Sequence, residues 1–122
     1  MFPPIFSTCA AVGAVTVLFG TSPVRFWPFS SAPQDASMPY AVWQIIGGSP
    51  ENYLGQVPDI DRFSLQVDVY ATTGSAAQSA AAALRDAIEP HAHITAWRGG
   101  DRDAVTKTFR VSFDVEWIIE RS

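Results

Sequence analysis

A chain of 122 residues is the size of one hydrophobic core, so it is organised as a single domain, residues 1–122. With 48% hydrophobic and 12% aromatic residues it has the apolar surface for a packed interior, which excludes a disordered segment. A net charge of −4 with only eight basic residues, scattered along the chain, excludes gripping phosphates as the main role.

The first element in chain order is a helix over residues 4–19, with Pro3 and Pro4 at its start and Gly20 as its stop. Residues 1–24 carry no charged side chain, and "CAAVGAVTVLFG" has the apolarity of a signal or membrane segment. A basic leading region is missing, and the unbroken apolar run falls short of the roughly 20 residues that a spanning helix needs. The segment is therefore read as a buried helix, with no membrane involved. Ile5, Cys9, Val12 and Phe19 form its core stripe, while Val15, Val17 and Leu18 leave the other side greasy too. A helix apolar nearly all round requires cover on more than one side, and in so small a domain another subunit can supply it.

"VRFWPF" (24–29) is a short strand cut by Pro28, and "YAVWQIIGG" (40–48) is a second strand ended by Gly47 and Gly48. The loop 49–61 follows, longer than ordinary connections and carrying Tyr53, Leu54 and Val57. The third strand, 63–70, alternates Phe63, Leu65, Val67 and Val69 with Ser64, Gln66 and Asp68. An alanine-rich helix spans 75–88, anchored by Leu84 and Ile88 and stopped by Pro90. "HAHITAW" (91–97) is the fourth strand and residues 109–119 the fifth, joined as a hairpin through the charged connection 98–107. The fifth strand repeats the alternation of the third, with Arg110, Ser112, Asp114 and Glu116 on its polar face. The predicted order is α-β-β-β-α-β-β. The predicted fold class is α+β: a two-layer sandwich, with a mostly antiparallel sheet of about five strands covered by two helices.

No residue pattern here carries catalysis. His91 and His93, two apart on a strand, would share a face, yet no third metal ligand is anchored by a motif. Cys9 is the sole cysteine, which excludes an internal disulfide, and it sits in an apolar helix as a small hydrophobe. Asp68, Asp114 and Glu116 could pair as glycosidase carboxylates, but Arg110 on the same face makes a solvated charge mix the plainer account. Neither "IIGGSP" nor "RGGDRD" is followed by the Lys-Ser/Thr of a phosphate-binding loop. The expectation is no enzyme, no metal and no cofactor: a structural or assembly module.

Several stretches carry a likeness by their order and spacing. These are "PIF" (4–6), "VRFWPF", "APQDASMPYAVWQIIGGSPENYL" (32–54), "DIDRFSLQVDVYA" (59–71), "LRDAIEPHAHIT" (84–95) and "FRVSFDVEW" (109–117). Together they resemble the tail-completion or tail-terminator family of long-tailed bacteriophages, prophages and gene transfer agents. The resemblance implies a subunit of a ring, commonly a hexamer, at the head-proximal end of the tail tube. That ring ends tube polymerisation and joins the tail to the head. Its partners are further copies of the chain, the tail-tube protein and a head-connector or closure protein, with DNA only passing through the lumen. Its place is the neck region of the virion, and the host cytoplasm during assembly. The alternative is another neck component, such as a head-closure or minor tail protein. Within that frame the greasy first helix and Tyr53, Leu54 and Val57 are expected at a subunit interface. Arg98, Asp101, Arg102 and Asp103 are expected to meet a charge-matched partner. The polar strand face with Asp68, Asp114 and Glu116 is expected either to meet a neighbour, the tube or the lumen, or to contact water alone.

Overall fold

The computed structural model describes residues 3–21, 23–51, 60–102 and 108–120. Among these, three helices cover one face of a five-stranded sheet. They are α1 (Ile5–Ala10), α2 (Gly13–Phe19) and α3 (Gly74–Ile88), with strands β1 (Phe26–Pro28), β2 (Tyr40–Glu51), β3 (Ile60–Ala71), β4 (His93–Arg102) and β5 (Phe109–Glu120). The α+β class and the order of elements agree with the expectation, except that the first helix comes in two pieces.

The sheet is ordered β1-β2-β3-β5-β4. Its centre is the pair of alternating strands, β3 and β5, in unbroken antiparallel register from Ile60 opposite Glu120 to Ala71 opposite Phe109. The alternation sends Leu65, Val67, Val69, Val111, Phe113, Val115 and Trp117 to the helix side, where all are buried. Helix α3 lies on them through Ala77, Ala80, Ala81, Leu84, Ala87 and Ile88. Alanines let its axis come close to the sheet, while Leu84 and Ile88 supply bulk; each such large side chain contributes about 1.5–3 kcal/mol on burial. The Thr73 side chain caps the helix by accepting from the Ala76 N–H at 3.1 Å.

The first helix departs from the expected single span. Val12 is extended, φ −99° and ψ 124°, so α1 stops at Ala10 and α2 restarts at Gly13. Valine is stiff beside the preceding turn and glycine is a poor helix former, so the junction is the weak point of the run. The break resets the helical phase. Val15, placed by its spacing on the outer side, is fully buried with Phe19, and Val12 is only partly buried against the core. Val17 is 83% exposed.

Strand boundaries also move. Gly47 and Gly48 do not end β2, which continues to Glu51 with an irregularity between Ile45 and Gly47. The supposed loop 49–61 therefore loses five residues to paired strands, and 52–59 lie outside the described residues. In the same way β4 runs to Arg102, while His91 belongs to the turn before it, so the two histidines do not share a strand. Cross-strand pairing outweighs the turn composition of these stretches.

Candidate assembly surface

On its second face the sheet carries no described helix. Across β2, β3 and β5 the rungs read Val42–Asp68–Ser112 and Gln44–Gln66–Asp114, followed by Gly47–Ser64–Glu116. Asp68, Asp114 and Glu116 are thus brought onto one face of adjacent strands. Each carboxylate has its own partners: neutral donors for Asp68, an arginine for Asp114 and for Glu116. The Asp68 carboxylate, only 5% exposed, accepts from the Ser112 hydroxyl and from Gln66 Nε2 at 3.1 Å. Asp114 receives both terminal nitrogens of Arg98, at 2.6 and 3.1 Å. That bond to Asp114 pushes the Arg98 guanidinium pKa up. Glu116 lies 3.6 Å from Arg62 Nε. The two exposed pairs add little stability, and their effect is to leave a face of mixed sign.

At the far end of this face the rings form a row. Trp27 leans on Tyr40 at 6.2 Å between centroids, and Tyr40 stacks on Tyr70 at 5.0 Å. Burial raises the pKa of both phenols; for Tyr70 the Asp68 charge adds to this and Arg110 opposes it with a hydrogen bond.

Arg98, expected at the hairpin tip, therefore belongs to the polar face. Arg102 ends β4 with its guanidinium 5.8 Å from the Phe109 ring centroid. Asp101 sits opposite Arg110 in register. Tyr53, Leu54, Val57 and Asp103 lie outside the described residues.

The sequence reading missed a second surface. Phe6, Phe29, Ile45 and Trp43 line an open cavity of about 650 Å³ with Pro4 and Pro28, where α1 meets the β1–β2 edge. Trp43 lies between Phe26, 4.7 Å away by centroids, and Phe6, at 6.2 Å. Phe6, Phe29, Ile45, Ile46 and Ile118 are all large apolar side chains left exposed. The signal was available in "PPIF" and "WPF", where prolines limit regular structure around aromatic residues. The four apolar walls, however, come from three separated segments.

Catalytic chemistry has little to work with. Burial pushes the Cys9 thiol up to about 12, which suppresses the thiolate. His91 and His93 line a small cleft with Glu89 and Glu116, but no group of three or more His, Cys, Asp or Glu among the described residues is placed to hold a metal. A sandwich with no described helix on one face, hydrogen-bonded carboxylates there and an apolar rim is suited to be a building block for assembly. The family model for Tail completion protein gp17 matches residues 3–120, and the chain belongs to that family. It is a structural component of the tail and neck region of a virion, and not an enzyme. Among solved structures, one described as "Virion of native gene transfer agent (GTA) particle" has the same fold. The TM-score is 0.69 at 13% identity, over 95% of this chain and 91% of that one. No curated protein matches.

Proposed function

We propose that this chain closes into a ring at the head-proximal end of the tail tube, ends tube polymerisation there and joins the tail to the head. The carrying observation is the group of exposed Phe6, Phe29 and Ile45 lining the cavity at the β1–β2 edge, in a chain of the tail-completion family. Apolar groups gathered at one edge need cover, and a rotation that brings a different face of the next copy against them closes a ring. The partners are further copies, six in the ring that the family resemblance implies, along with the tail-tube protein and a head-connector or closure protein.

The polar sheet face is read as the surface lining the passage for DNA. Its acidic groups are paired with Arg98 and Arg62 or buried, as Asp68 is, so it neither binds phosphate nor repels it strongly. The functional test is tube length. Tail-tube protein polymerised with the purified chain should give tubes of reduced length, each with density at one end. Tubes as long as those grown without it, and bare at both ends, would remove the terminator role.

A further inference from the structure

The two sides of the sheet are capped over only part of their length. β1 covers Ala41–Trp43 of β2, and β4 covers β5 no further than Glu116. Beyond these points β2 from Gln44 to Glu51 and β5 from Trp117 to Glu120 pair only with β3, among the described residues. This end of the sheet is therefore a three-stranded tongue, β2-β3-β5, with an open edge on each side.

The outermost strands are poor docking edges, for separate reasons. β1 has three residues and ends in Pro28, which has no N–H to offer. β4 breaks register between Ile94 and Ala96 and again between Arg98 and Asp101, which disrupts the regular ladder a partner strand would need. The β5 edge from Trp117 to Glu120 has neither device, and on the β2 edge the irregularity between Ile45 and Gly47 and the missing N–H of Pro50 leave Gly47–Ser49 between them as the regular stretch open to a partner. Ile45 and Ile46, 40% and 51% exposed, stand where the β2 edge opens, and Ile118, 43% exposed, stands on the β5 edge.

We propose that the tongue edges join copy to copy, β5 of one chain pairing with β2 of the next. This rests on the ring reading above and deepens it by naming the contact. Both strands are antiparallel to β3, so they run in the same direction, and a rotation about an axis along the strands sets them side by side in parallel. Through Arg62, Ser49 lies level with Ile118, so the two edges also match in height. Each chain has one such edge on either side of β3. Repeating the contact therefore leaves no open edge in this region once the ring closes, the solution that barrels use. The incoming chain approaches beside Ile45, a wall of the apolar cavity, and covers it in the same step.

The test is disulfide trapping with copper phenanthroline, since neighbouring strands bring Cα atoms within disulfide range. Two double variants sample the register: Ile118→Cys with Ser49→Cys, and Ile118→Cys with Gly47→Cys. A side chain at position 47 meets only the Ser64 Cβ, at ordinary contact distance, 3.9 Å. Cys9, fully buried, stays silent. The expected result is a ladder of linked species up to the full ring in one double variant, and none in the single variants. Rings visible by microscopy but unlinked in both registers would overturn this contact and leave the ring reading standing. Linking by Ile118→Cys alone would also overturn it, because it requires a two-fold contact. Absence of rings in the parent chain would remove the ring reading and this contact with it.

Discussion

Asp68 is the most constrained polar residue on the open face. It is buried on a surface that no described helix covers, because Val42 and Ser112 flank it on its own rung and Gln66 adjoins it along its own strand. Replacing it with alanine removes the acceptor for two donors. Asp68→Ala should cost about 1–3 kcal/mol in urea unfolding, and Asp68→Asn, which keeps an acceptor oxygen, clearly less. Equal stability of the two variants would show that the hydrogen bonds do not hold this face together. Cys9 makes a different point. Its thiol pKa is raised by burial from 9.0 to about 12, so the folded state favours the protonated form. The stability this contributes is complete below pH 9 and declines as pH rises towards 12. Iodoacetamide at pH 8 should leave the folded chain unlabelled and label it on unfolding; rapid labelling of the native protein would contradict the burial.

At the scale of elements, the junction after α2 shows why small departures from regular structure persist. Gly20 takes φ 79° and ψ −176°, a region almost reserved for glycine. A Cβ there would lie 2.6 Å from Arg25 Nη1. That guanidinium bonds the Leu18 carbonyl and the Pro39 carbonyl, each at 3.0 Å, and so ties the end of α2 to the start of β2. Gly20→Ala should therefore cost about 1–3 kcal/mol, read as a lower Tm, by straining the backbone and displacing the clamp. An unchanged Tm would mean that the clamp carries nothing. Much at this scale was legible in the sequence. Alternation in β3 and β5 defined both faces, because a period of two leaves one solution for burial. The alanine-rich run and Leu84 with Ile88 defined α3. The helix break was not legible, since Val12 and Gly13 each lower helix stability only slightly, and the packing of Val15 and Phe19 decides the outcome. Strand ends were misjudged at Gly47 and Gly48 for a related reason. Their composition favours a turn, but pairing with Ser64 and Phe63 on β3 extends the strand.

For the whole molecule, the candidate site was legible only in part. Asp68, Asp114 and Glu116 were assigned to one face by alternation alone. Their partners were not, because Arg98 and Asp114 are 16 residues apart and meet only through the β4–β5 register. The apolar edge is likewise a product of three segments brought together by the fold. It combines exposed aromatic and aliphatic groups beside a cavity with strands that, among the described residues, are paired on one side only. The proposed ring puts this chain's function in contacts between copies, to which tube and head components are added. The most direct measurement is the mass and shape of the purified chain over a range of concentrations, by native mass spectrometry and negative-stain microscopy, alone and with tail-tube protein. The account predicts closed rings whose mass is a whole-number multiple of 13.2 kDa. A lone 13.2 kDa particle under every condition, indifferent to tube subunits, would contradict it.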